Sequence, residues 1–259
     1  MEATALSGFD RASALPRLGG MARPDGVTIV SERFWAFAGI DGTLREGMMP
    51  QARGLLRRVP LLRGLVRLSL SLSPLVRRDG VAKPRERVLL VLAVVGPLGF
   101  AFLPHPWSLA AGLALTLALV GWLLRGRTLA LHGAEHRAIA AAEERRLAAT
   151  WRGFVRPTRF ASRCGTNFAA LVFPIAAGIE RVWPFAPTVY ASAAVVVLSL
   201  GLTMELWLVV EGSRRWVARA LLLPGLGLQR LTTREPGLAE TQVALRAVES
   251  VLTREQRAA

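Results

Sequence analysis

His132, Glu135 and His136, within the run Leu131-His132-Gly133-Ala134-Glu135-His136-Arg137, are the residues of this chain best suited to chemistry. On a helix of about 3.6 residues per turn the two imidazoles lie one turn apart on one face. Glu135 sits beside them, and Glu143 follows two turns further along nearly the same line. The order His-x-x-Glu-His is the inverted arrangement of zinc metallopeptidases. Its two His bind a divalent metal, and the adjacent Glu, itself not a ligand, takes a proton from the water that the metal activates. Zinc requires at least three protein ligands with one position left open, so the pair needs a third donor.

Three residues are candidates for that donor: Glu143, Cys164 and Glu205. Arg163 precedes Cys164 and would favour its thiolate; the other reading of Cys164 is a small buried apolar residue. Glu205, like Glu211, stands near the end of an apolar run, where a carboxylate is costly and is either functional or paired with an Arg. Gly133 is about 1 kcal/mol worse than Ala in a helix, so a close approach is expected there. In the non-catalytic reading the His and Glu side chains bond to Arg137 or Arg163 and to lipid headgroups, with no metal.

The elements that must position this cluster belong to a membrane protein. Of 259 residues 52% are apolar, yet the formal net charge is +15; together these indicate a membrane chain with basic flanks. Lys83 is the sole lysine. The arginines bracket apolar runs and do not share one soluble face with aromatics, so nucleic-acid binding is not expected. Cys164 is the single cysteine, so no intramolecular disulfide can form. Residues 1–18 lack the basic start and apolar block of a cleavable signal peptide and read as a disordered tail.

Residues 19–50 alternate β-branched and aromatic runs with Gly19-Gly20, Arg23-Pro24-Asp25-Gly26 and Asp41-Gly42, which predicts a small β element of two to four strands. It is expected to be a structural cap, unless Asp25, Asp41 or Glu46 proves to lie beside the two His. Residues 51–80 interleave Arg and Leu as a basic amphipathic helix does when it lies on anionic headgroups. The other reading is a helix packed on the bundle without touching lipid.

A spanning helix needs about 20 apolar residues. Residues 86–126 therefore predict a transmembrane hairpin turning at Pro104-His105-Pro106-Trp107, with a re-entrant pair as the alternative. Residues 127–163 form a cytoplasmic loop and helix carrying the His cluster, and residues 164–211 a second hairpin. Basic residues flank both hairpins, so the positive-inside rule puts both termini in the cytoplasm and His105 on the far side, which removes it as a ligand. Residues 212–259 read as an interfacial segment and a helix with Val243, Leu245, Ala247, Val248 and Val251 on its apolar face. The expected class is a mainly α-helical integral membrane protein with about four transmembrane helices in two hairpins, basic interfacial helices and a small N-terminal β element.

Four motifs in order, His132-Gly133-Ala134-Glu135-His136-Arg137 with Glu143, Arg163-Cys164-Gly165-Thr166-Asn167-Phe168, the run Pro60-Leu61-Leu62-Arg63-Gly64-Leu65, and Leu228-Gln229-Arg230-Leu231-Thr232-Thr233-Arg234-Glu235-Pro236, resemble the YqhQ-like family of bacterial membrane proteins. The resemblance implies a multi-pass protein of the bacterial inner membrane in a domain family of unknown function that is regarded, on motif grounds, as predicted metal-dependent enzymes. Family members usually carry Lys at Arg137 and often His at Ala161. A family Glu corresponds to Asp25.

These readings lead to a metal-dependent membrane protein acting as a hydrolase, with a divalent metal, zinc by donor type, held by His132 and His136 and with Glu135 as general base. The alternative is a non-catalytic membrane scaffold or assembly factor. Expected partners are the anionic bilayer and a membrane protein or a second copy of the chain.

Overall fold

The computed structural model describes residues 3–51, 58–77, 80–100, 102–123, 126–185, 188–211, 213 and 215–258, and the chain divides into two compact units. The first comprises residues 1–51, 123–161 and 229–259; the second comprises 52–122 and 162–228.

In the first unit, strands β1 (Gly19–Arg23), β2 (Gly26–Val30), β3 (Phe34–Gly39) and β4 (Leu44–Met48) form an antiparallel meander in the order β1-β2-β3-β4. The Pro24-Asp25 turn joins β1 to β2, pairing Arg23 with Gly26, and Gly42 supplies the positive φ of 88° in the last turn. With a period of two, Val27 and Ile29 of β2 and Ala36 and Ala38 of β3 enter one core. The helices α6 (Thr128–Glu143) and α11 (Leu238–Arg257) supply the rest. Small side chains on both helices, Ala134, Ala138 and Ala141 against Ala244 and Ala247, let their backbones approach closely.

Residues 3–18 are not a free tail. Ala3–Asp10 is α1, and Leu6 and Phe9 bury into the same core. Asp10 also caps the short α7 (Leu147–Trp151), accepting the Leu147 and Ala148 N–H groups at 2.8 and 3.0 Å. A segment that brings two buried apolar side chains and a cap is ordered, although it is too short to form a helix alone.

In the second unit, α2 (Leu62–Ser71) and α3 (Ser73–Val76) precede a helical pair, α4 (Pro84–Phe100) and α5 (His105–Leu123). A second pair follows, α8 (Gly165–Val182) and α9 (Val189–Glu211), and then α10 (Trp216–Thr232), whose last turn counts with the first unit. Leu171, Trp207, Val210, Ala218 and Leu222 form its core. Two close approaches tie it together. A Cβ on Gly64 would lie 2.6 Å from Met204 Cβ, and one on Gly225 would lie 2.2 Å from Asn167 Oδ1. Where one basic helix is expected over residues 51–80, the described residues form α2 and the short α3, and residues 52–57 and 78–79 lie outside the described residues.

Among the described residues one helix is long and apolar enough to cross a membrane, Tyr190–Val210 within α9. Its 21 residues span about 31 Å at 1.5 Å each, the thickness of a hydrocarbon core. Two of its hydroxyls are satisfied within the helix, Ser199 donating to Val195 O and Thr203 to Ser199 O, both at 2.6 Å. The other helices expected to span, α4, α5 and α8, have 17, 19 and 18 residues.

Candidate metal centre

His132 and His136 occupy the middle of α6, one turn apart, with ring centroids 4.5 Å from each other and an interplanar angle of 65°. Each ring is fixed through Nδ1 to a main-chain carbonyl: His132 to Thr232 O at 2.9 Å and His136 to Arg159 O at 2.7 Å. A carbonyl only accepts, so both Nδ1 atoms carry the proton and donate, which places the lone pair of each neutral ring on Nε2. Metal-binding histidines are held in this way, with the distal nitrogen pinned and the ligating nitrogen set in tautomer and direction. His136 is 2% exposed, and its buried Nε2 has no hydrogen-bond partner among the described residues.

Glu135 is buried between α6 and β1. It accepts the Ala22 N–H, and Gly20 lies so close that a Cβ there would meet Glu135 Cγ at 2.7 Å. Burial pushes its carboxyl up to about 7, against smaller opposing pulls from His132 and from the Ala22 N–H. The β meander therefore seats the carboxylate through backbone atoms of β1. Its own acidic residues are otherwise engaged. Asp25 accepts from Arg23 at 3.0 Å, Asp41 from the Thr43 N–H at 3.0 Å, and Glu46 from Ser250 Oγ at 2.5 Å.

A segment that the sequence marks only as a family motif, with no candidate ligand in it, organises the centre. Residues 229–236 run beside α6, contributing Thr232 O to His132 and the Arg234 N–H to Leu129 O at 2.9 Å. Arg234 O fills the space at Gly133, where a Cβ would lie 2.2 Å from it. Gly133 thus marks the close approach that its helical position predicts. Gln229 clamps the opposite loop, accepting the Ala161 N–H at 3.0 Å and donating to Ala161 O at 2.7 Å. Arg159 donates to Thr233 O at 2.7 Å, which holds in place the carbonyl that orients His136. Arg137, almost fully buried, donates to Pro157 O at 3.0 Å, Pro236 O at 3.2 Å and Glu235 Oε1 at 2.5 Å, lacing all three segments.

The remaining ligand candidates separate. Glu143 is exposed at the last residue of α6. Seven residues beyond His136 is about 10 Å along the axis, too far to share an ion with it, so Glu143 is not the third ligand. In the second unit both carboxylate oxygens of Glu205 accept from Arg63 Nε, at 2.8 and 3.1 Å, and Oε1 also accepts the Leu61 N–H at 3.0 Å. It is the carboxylate paired with an arginine. Cys164, buried, is the N-cap of α8, its Sγ accepting the Thr166 N–H at 3.4 Å.

The donor chemistry fits a divalent ion: imidazoles anchored at Nδ1, a buried Nε2 left unpaired, and a carboxylate with a pKa near neutrality alongside. Comparison with known proteins supports the family resemblance. Residues 117–254 match the family model described as "Protein of unknown function (DUF1385)", a region that includes α6, Cys164 and the 229–236 segment. The chain is 25% identical over 298 aligned residues to the "Uncharacterized protein YqhQ" of Bacillus subtilis (strain 168), an alignment covering 92% of each chain. No solved structure matches. Since that model spans more than half of the sequence, the chain belongs to the DUF1385 family.

Proposed function

We propose that this chain is a multi-pass protein of the bacterial inner membrane that holds a divalent cation, zinc by donor type, at His132 and His136 and acts as a hydrolase. The observation that carries the reading is the buried, unpartnered Nε2 of His136 on a ring pinned at Nδ1. Leaving such an atom unsatisfied costs about 1–3 kcal/mol, and a cation would offset that. Cys164, the N-cap of α8, is the remaining candidate for the third donor. A bound ion would contribute Lewis acidity and acidify water. Glu135, with its carboxyl near 7, has the proton affinity a general base needs at neutral pH, and the Ala22 N–H orients its oxygens.

The membrane reading rests on α9 together with outward-facing apolar side chains on the paired helices, among them Val91, Leu92, Leu113, Leu117 and Phe173. With α4, α5, α8 and α9 as spans and basic residues at their shared ends, both termini and the His cluster face the cytoplasm. The basic α2 lies on anionic headgroups.

Cobalt(II) titration of the purified chain tests the site. Saturable one-to-one binding with a thiolate-to-cobalt charge-transfer band is expected, the band lost in Cys164→Ser and binding lost in His136→Ala. Glu135→Gln should keep the ion. Absence of saturable binding in the wild type would favour the non-catalytic scaffold.

A further inference from the structure

Within the first unit, on the Arg137 side of α6, a cavity of about 270 Å³ opens between the end of α7 and the start of α11. Arg137, Thr150, Arg152, Arg156, Gly237 and Thr241 line it. The end of α7 closes in a Schellman turn, Gly153 at φ 78° with its N–H on Thr150 O and the Phe154 N–H on Ala149 O, both at 3.0 Å. That turn occupies the Ala149 and Thr150 carbonyls. It also carries Arg152 and Arg156 to the rim. Both are exposed, and neither makes an ion pair with a described residue.

Opposite them lies α11, 20 residues long, whose N-cap Gly237 has no side chain to cap it and lines this space, which brings the positive end of the helix dipole to the cavity. Two buried polar groups complete the lining. Thr150 is 1% exposed and its Oγ1 has no hydrogen-bond partner among the described residues. Arg137 has five N–H donors, and three bonds to protein acceptors are formed. The neighbouring carboxylates are Glu235, held by Arg137 and Arg159, and Glu240, which folds back beside Gly237.

We propose that this cavity binds a phosphate group, as a phosphomonoester of a small molecule or of a lipid headgroup. Donors converge from the guanidinium groups of Arg137, Arg152 and Arg156, a hydroxyl and a helix N-terminus. A tetrahedral, multiply charged group uses such a set more fully than a planar carboxylate does. The volume lies at the lower end for small-molecule sites, which fits one phosphate with a short organic moiety. The site is independent of the metal reading, because none of its residues is a proposed ligand.

The test uses the full chain in neutral detergent at constant ionic strength, with inorganic phosphate as the calorimetric probe and chloride as control. Saturable phosphate binding is expected, weakened at least tenfold in Arg152→Ala/Arg156→Ala and severalfold in Thr150→Val. Since both arginines are exposed, the double variant should melt with the wild type. Transfer into nanodiscs separates the sources. Phosphate binding blocked by phosphatidic acid but not by phosphatidylcholine assigns the site to a headgroup; binding unchanged in both assigns it to a soluble phosphomonoester. No binding above chloride, or equal binding in the double variant, would overturn the proposal.

Discussion

Gly133→Ala isolates the contact between α6 and the 229–236 segment. Considered on helix propensity alone, the change stabilises by about 1 kcal/mol. The new Cβ, however, would lie 2.2 Å from Arg234 O and 3.2 Å from Pro236 Cδ, whereas an ordinary carbon-to-oxygen contact is about 3.3–3.6 Å. The main chain at Arg234 must therefore retreat by about 1 Å. Thr232 O, two residues earlier, accepts from His132 Nδ1 at 2.9 Å; moved by the same amount it passes beyond hydrogen-bonding range. Overpacking costs about 1–3 kcal/mol and the lost bond about 0.5–1.5 kcal/mol. The sum outweighs the propensity gain and leaves a net loss of about 1–3 kcal/mol. Thermal unfolding in detergent should show a lower midpoint, and cobalt(II) affinity should fall because His132 is no longer oriented. A variant that melts higher than the wild type and binds cobalt equally would refute the role assigned to this contact.

In the metal-free protein the Glu135 carboxyl, raised from 4.5 to about 7 by burial, keeps its proton in the folded chain and releases it in the unfolded one. Stability should therefore fall as pH rises through that window, by about 3 kcal/mol at most. Glu135→Gln should remove this slope and be the more stable form at pH 8, as urea or thermal midpoints across pH 4.5–8 would show. Arg137→Met, which leaves Glu235 and two carbonyls without their buried donor, should cost about 2–3 kcal/mol and speed amide exchange in residues 229–236. Asp10→Ala removes both acceptors at the start of α7 and should lower stability by about 1 kcal/mol, measurable as an earlier unfolding midpoint.

Local signals in the sequence were reliable where the structure is local. Pro24-Asp25-Gly26 marks a hairpin that exists. The apolar spacing of Leu245, Val248 and Val251 marks α11, and the His132/His136 pair lies on one helical face as its spacing requires. What could not be read depends on partners distant in the chain. Ala3–Asp10 carries only two buried side chains, and nothing in its own pattern announces the core that receives them. The first unit is assembled from three separated stretches, so the β element and the C-terminal helix read as unrelated segments. Glu143 shows that a shared helical face is not a shared site, because periodicity sets the angle while the rise separates the atoms. Glu205 offered two readings, and only the position of Arg63 decides between them. The supports of the two imidazoles, Thr232 O and Arg159 O, are main-chain atoms, which any residue type would provide.

Metal content tests the central claim most directly. The full chain, purified from cells grown in zinc-replete medium, should contain about one equivalent of zinc by plasma mass spectrometry. His136→Ala should contain less than a tenth of that while keeping a cooperative melt. Equal and negligible zinc in both, with both folded, would contradict the account.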